Sequence, residues 1–291
     1  MLRRQLVEAQ VAAARSEYTL KAAEVSAGRR RTADAMSQSV SEVMHQLALS
    51  SSRFEVALLP IENGAVYGQE QVEFRIGGLA GNVAKSLAKV ASGGELSRIS
   101  LAIQVLTSRS ASVPTLIFDE VDVGIGGGVA EIVGRLLHEL GKPTIARVRG
   151  AAAGAGLSLA LACDLRIAAD EARVGLPEAA LGLLPGAGGT QRLTRLVGRG
   201  LAHRLILGAE TPTGREALAL GLVQWSVPRA ELAAAAEALA QRLAALPRHA
   251  LAENKRCIEL AAVPGDAGYA AEVDGTRRLY QNPETRRRVS A

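Results

Sequence analysis

Aromatic side chains are scarce in this chain. Phe, Trp and Tyr make up 3% of its 291 residues, and Trp225 is the single tryptophan. Any core must therefore be built from Ala, Leu, Val and Ile. There are only two cysteines, Cys163 and Cys257, which excludes a disulfide framework and a cysteine metal cluster. The four histidines, His45, His138, His203 and His249, show no metal-ligand spacing. No apolar run approaches the roughly 18 residues of a membrane-spanning helix. The first residues, Met1 to Gln10, lack the apolar stretch of a secretory signal. The expected compartment is the cytoplasm, with no membrane partner. Hydrophobic residues at 48% and charged residues at 22% exclude a chain disordered throughout. The length allows one large domain or two ordinary ones.

The formal net charge is +5, and it is unevenly divided: −1 over residues 1–141 and +6 over residues 142–291. Nucleic-acid binding requires basic residues clustered on one face, and an overall excess does not supply that. The run Arg286-Arg287-Arg288 reads as solvated surface.

Residues 1–50 read as one long helix with an apolar stripe through Leu6, Ala9, Ala13, Leu20, Val40, Val43 and Leu47. Gly28, followed by three arginines, is expected to kink or loosen it. Such a helix is either a coiled-coil arm or a helix packed on its own domain; no strict heptad is sustained. Phe54–Leu58 and Val72–Ile76 alternate as strands, with a turn expected at Glu62-Asn63-Gly64. A helix from about Gly94 to Ser108 follows, then Pro114–Phe118, which reads as a buried parallel strand, and a helix from Val129 to Leu140. The composition changes at Lys142-Pro143. From there come a strand at Thr144–Val148, a small-residue loop at Gly150–Gly156, a buried helix at Leu157–Cys163 and a strand at Leu165–Ala168. A glycine-rich turn at Gly182–Thr190 then opens a helix, and beyond Arg229 the chain is helical.

Two segments in the first half carry a chemical pattern. Ser92-Gly93-Gly94-Glu95 stands before a helix, where backbone N–H groups can face a phosphate. About twenty residues later, Leu116-Ile117-Phe118-Asp119-Glu120 is a strand ending in adjacent carboxylates, one able to hold Mg²⁺ and one to polarise a water. Alone, Ser-Gly-Gly is equally an ordinary capped turn; the pairing gives it meaning. Together with Val121-Asp122-Val123-Gly124, these residues resemble the signature, Walker B and D-loop of the RecN family of SMC-like ABC-type ATPases. The resemblance implies a DNA repair and recombination ATPase head. In it Asp119 would hold the metal, Glu120 would be the catalytic carboxylate, and Ser92, Gly93, Gly94 and Glu95 would meet ATP across a head–head dimer. The P-loop pattern G-x-x-x-x-G-K-[ST] occurs nowhere in the chain. Ala84-Lys85-Ser86 comes nearest, with Leu79 and Ala84 where glycines are needed.

The second half carries Lys142-Pro143-Thr144-Ile145-Ala146, the Gly150–Gly156 loop, Ala162-Cys163-Asp164, Gly175-Leu176-Pro177-Glu178 and Leu184-Pro185-Gly186-Ala187-Gly188-Gly189-Thr190-Gln191-Arg192. This text resembles the enoyl-CoA hydratase/isomerase (crotonase) family. The resemblance implies a coenzyme A thioester as substrate, an oxyanion donor at the N–H of Ala155, and Glu178 as general acid or base. A surface glutamate beside Pro177 is the competing reading of Glu178. Hydratases of the family carry a second glutamate where this chain has Ser158, either a weak polar helper or a helix cap. A lone Glu178 therefore suits double-bond isomerisation, in which one base shuttles one proton. Asp164 is expected to be a structural hydrogen bonder and Cys163 an inert core thiol.

The expected fold is α/β in three parts: a coiled-coil-like helix over 1–50, a partial ABC-ATPase head over 51–141 and the C-terminal part of a crotonase (ClpP/crotonase-like) fold over 142–291. Read this way, two partial proteins join near Gly141–Lys142, and neither activity is complete. The alternatives are a residual acyl-CoA isomerase or hydratase, self-associating as a trimer, and an ATP-binding subunit reaching DNA only within a complete RecN-type complex. The chain alone is expected to hydrolyse no ATP in a phosphate-release assay. Hydrolysis that appears only with a complete partner head, and is lost in Ser92→Arg, would support the last alternative.

Overall fold

The computed structural model describes residues 2–78, 84–89, 93–107, 115–118, 127–262 and 265–290. They fall into two units, Met1–Leu106 and Thr107–Ala291.

The first unit opens with α1 (Leu2–Gln46). Its residues 3–21 are exposed. From Ala22 onward, Ser26, Ala33, Val40 and Met44 are buried at spacings of four and seven, which is one helix face. That face lies on β1 (Ser52–Ala65), which pairs antiparallel with β2 (Gly68–Gly78). Phe54 is fully buried and packs on Phe74, ring centroids 5.3 Å apart. The helix does not break at Gly28. Arg29 explains this, because its guanidinium donates to the carbonyls of Tyr67 at 2.6 Å and Glu70 at 3.2 Å and so fastens the middle of α1 to the hairpin. The expected turn at Glu62–Gly64 instead continues β1 with a shifted register, and the chain reverses at Val66-Tyr67. A short β3 (Lys85–Ser86) adds to β2, and α2 (Gly93–Thr107) buries Ile99, Leu101 and Ala102.

In the second unit, Thr115–Phe118 forms no strand, and Ile117 is 80% exposed. The buried parallel strand expected there is corrected: a parallel strand is held by hydrogen-bonded neighbours, and no described strand pairs with it. Next comes α3 (Gly127–His138), burying Ala130, Val133 and Leu137. The chain continues through β4 (Ile145–Val148), β5 (Ala151–Ala153), α4 (Ala155–Ala162), β6 (Leu165–Ala169) and β7 (Arg173–Gly175). Then follow α5 (Gly189–Leu207), α6 (Gly214–Ala219), β8 (Trp225–Val227) and four helices, α7 (Leu232–Ala244), α8 (Arg248–Leu260), α9 (Ala267–Gln281) and α10 (Pro283–Val289). The parallel sheet runs β4-β6-β8, and β5 pairs in parallel with β7. Its core is aliphatic, with Leu157, Ile167, Val174, Leu176 and Leu193 central and Trp225 packed at its margin.

The change of composition at 141–142 is not where the units divide. Helix α3 packs on α4, because Gly134 lacks a side chain where a Cβ would come 3.2 Å from that of Ala162. His138 also meets Glu259 of α8 at 3.1 Å. Asp164 ties the sheet together: its carboxylate accepts the N–H of Thr144 at 2.7 Å and the Thr144 hydroxyl at 2.9 Å, and pairs with Lys255 of α8 at 2.9 Å. Buried Arg166 donates to the carbonyls of Cys163 at 2.7 Å and Leu222 at 2.8 Å, closing the C-terminal end of α4. Burial pushes the Cys163 thiol up to about 11, so at neutral pH it is a protonated packing group.

Two outcomes are expected. Gly134→Val should lower the urea midpoint of the full chain, costing about 1–3 kcal/mol through overpacking of α3 on α4. The second concerns Glu253 of α8. Hydrogen bonds from Arg278, and to a lesser extent from Arg256, hold its carboxyl down at about 2, against an unfolded value of about 4.3. A depressed carboxyl stabilises the fold above its unfolded value, and that contribution is lost as pH falls from about 4 toward 2. Because the arginines are half-exposed, screening leaves on the order of 1 kcal/mol. Thermal melts of Glu253→Gln should therefore show a shallower loss of stability across that acid range than the parent.

Candidate active site

The site forms where β5, β7 and α4 meet. Parallel pairing sets Ala153 beside Gly175, and the N–H of Gly154 donates to the Gly175 carbonyl at 3.0 Å. Gly154 then turns the chain into α4 with φ 57° and ψ −121°, a conformation that favours glycine. No side chain caps this helix. Its first N–H groups have no acceptor within the helix, and Ala155, the first helical residue, carries one of them. The small-residue loop expected at Gly150–Gly156 is therefore partly the strand β5.

Glu178 stands in a 3-10 turn, Pro177–Leu181, whose entry is fixed by fully buried Leu176 and whose exit is closed by left-handed Gly182. Its carboxylate lies against Gly154: a Cβ there would come 3.0 Å from Oε1. The backbone favours glycine at 154, and any side chain there would also push the carboxylate aside. Oε2 of Glu178 is buried and has no partner among the described residues. A buried carboxylate oxygen without a donor costs about 1–3 kcal/mol or more, so its retention calls for an explanation outside packing. Leu181, Leu183 and Leu184, which follow it in the chain, are all exposed.

Ser158 is not the cap of α4, whose N-cap is Gly154 with no side-chain cap. It is fully buried in the body of α4, and its hydroxyl donates to the Gly186 carbonyl at 3.2 Å. Arg192 secures the same loop by donating to the carbonyl of Ala187 at 2.6 Å, and Ala187 itself holds a left-handed φ of 54°. These two fastenings escape a reading of the sequence. Their signals are a single hydroxyl inside the run Gly156-Leu157-Ser158-Leu159-Ala160 and a positive charge four residues beyond Gly188.

Of the residues expected to meet ATP, the described ones lie at the start of α2. Gly93 and Gly94 begin α2, and Glu95 is exposed in its first turn. Ser92, Asp119 and Glu120 lie outside the described residues. The sequence has no P-loop of its own.

Comparison with known proteins agrees with a division of the sequence into two kinds. The enoyl-CoA hydratase/isomerase family profile matches residues 131–277, beginning inside α3. The putative enoyl-CoA hydratase/isomerase YngF of Bacillus subtilis is 50% identical over 110 residues, 38% of this chain and 42% of that protein. The crystal structure of a putative enoyl-CoA hydratase from Thermobifida fusca in complex with CoA is similar with a TM-score of 0.50 and 38% identity, covering 53% of this chain and 60% of that one. DNA repair protein RecN of Haemophilus influenzae is 47% identical over 117 residues, 40% of this chain but 21% of that protein. The chain thus spans less than two thirds of each. The chain belongs to the enoyl-CoA hydratase/isomerase family.

Proposed function

We propose that the chain joins a segment similar to part of RecN to the acyl-CoA site of an enoyl-CoA-type protein, and that this site moves one proton at a coenzyme A thioester. The observation that carries this reading is the buried, unpartnered Oε2 of Glu178 beside the uncapped start of α4. A thioester carbonyl that gains negative charge needs a preorganised donor, and the N–H of Ala155 supplies one. Glu178 removes a proton from C2 of a 3-enoyl thioester and returns it to C4, moving the double bond into conjugation. Hydration needs a second group to activate water. Ser158, whose hydroxyl is not basic and already donates to the Gly186 carbonyl, is poorly suited to that work. One oxyanion donor in place of two costs about 10²–10³ in rate, so turnover is slow and neither parent activity is complete. Acyl-CoA is the partner this reading implies, with self-association into a trimer-like form. ATP and DNA enter only through a complete RecN-type complex.

With a 3-enoyl-CoA, absorbance of the conjugated thioester should rise slowly with the full chain. In Glu178→Gln that rate should fall by at least about 10², with the circular dichroism spectrum unchanged. Equal rates in the two proteins, or hydration of crotonyl-CoA as fast as isomerisation, would overturn the reading.

A further inference from the structure

The first unit carries a helix face that no described residue of that unit covers. From Arg3 to Lys21, α1 is exposed. Yet Val7, Val11, Ala14 and Tyr18 recur at intervals of four, three and four, which sets them on one stripe with the spacing of a coiled-coil core. That stripe leads onto the hairpin. The Tyr18 hydroxyl lies 3.0 Å from the carbonyl oxygens of Ala65 and Gly68, and it accepts the N–H of Ala65 at 3.1 Å. The hairpin reverses between those two residues, at Val66-Tyr67, so no strand of it runs beside the helix N-terminal to Tyr18. About 22 Å of helix, from Arg3 to Glu17, therefore extends past the hairpin tip. Val66 and Tyr67, both exposed, add apolar surface beside Tyr18. Charge flanks the stripe. Glu8 and Arg15, a heptad apart, lie on the same side of it. Glu8 pairs with Arg4 along the helix at 3.0 Å, and the Arg15 guanidinium has no carboxylate partner among the described residues.

We infer that this stretch of α1 pairs antiparallel with the same stretch of a second copy of this chain, Val11 of each helix against Ala14 of the other. Two observations select that occupant and that direction. In an antiparallel pair, residues on one flank of the stripe meet the same flank of the partner helix. Glu8 of each copy then stands beside Arg15 of the other, so the opposite charges meet twice. The second observation is steric. The hairpin sits on this same face at Tyr18, so a parallel pair would crowd two hairpins into one place, whereas antiparallel pairing carries them to opposite ends. The helix is already formed and fastened to the hairpin at Tyr18 and Arg29, so pairing orders little further backbone. A patch of about two heptads makes a weak, concentration-dependent interface. It is separate from the self-association proposed for the second unit.

Sedimentation velocity of the full chain, from about 1 to 200 μM and in about 50 mM salt to limit screening, reads the pairing. The parent should associate as its concentration rises. Val11→Lys, which sets a charge in the stripe, should weaken that association at least about tenfold, and Ala14→Glu, at a second position of the stripe, should act the same way. Glu8→Arg and Arg15→Glu should each weaken it about threefold to tenfold. The two combined should restore it to within about twofold of the parent, because the contact is then only reversed. All four positions are exposed, as is the Arg4–Glu8 pair, so the circular dichroism spectrum should not change. The inference fails if the parent sediments like Val11→Lys and Ala14→Glu at every concentration. Association would then come from the second unit alone, and this face would belong to some other partner. It also fails if the double charge reversal stays as weak as either single one, since Glu8 and Arg15 meet across the pair only when the helices run antiparallel. No readout involves Glu178, so these outcomes stand or fall separately from turnover at the acyl-CoA site.

Discussion

The carboxylate of Asp164 holds the second unit in register. Its two hydrogen bonds to Thr144 fix where β4 begins relative to β6, and its ion pair with Lys255 brings α8 onto the same point. Parallel strands have slanted hydrogen bonds and no hairpin to set their alignment, so such an anchor does the work a tight turn does in an antiparallel sheet. With β4 and β6 aligned, the chain between them must fold back through β5 and α4. This return brings Gly154 to Gly175 and thereby sets the glutamate turn beside the helix start. Arg166, at the other end of α4, keeps the helix from sliding along its axis.

The chemistry of the site follows from small side chains. Gly154 leaves room for a carboxylate to touch the backbone, and the absence of a cap leaves helix N–H groups unclaimed. Ser158 and Arg192 hold the Gly186–Gly188 loop in place. An unpaired carboxylate oxygen is costly in a packed interior, and the surrounding aliphatic core meets that cost across many ordinary contacts.

What was legible in the sequence is what is local. The helix start near Ala155 follows from a short string of small residues before an apolar run, Glu178 is singled out only by the family resemblance, and the structural part of Asp164 follows from its place at the end of a buried helix. Contacts that join distant residues were not legible. Lys255 lies 91 residues beyond Asp164, and no periodicity links the two. Strands β7 and β8 have three residues each, too few for an alternating pattern to show. Thr115–Phe118 misleads in the opposite sense: its composition suits a buried strand, yet a strand exists only where a neighbour pairs with it. Helix α3 has an apolar face that would suit either kind of protein, and Gly134 decides that it seats on α4.

The thiol of Cys163 has a use beyond packing. Its sulfur lies against the Leu159 carbonyl at the end of α4, protonated and half-buried at the hinge between that helix and β6. An alkylating reagent reacts with the thiolate, so labelling there is slow while burial keeps the thiol protonated. The rate of labelling at Cys163, set against that at Cys257 on α8, therefore reports how firmly the end of the helix that begins at Ala155 stays packed, without any probe having to be introduced.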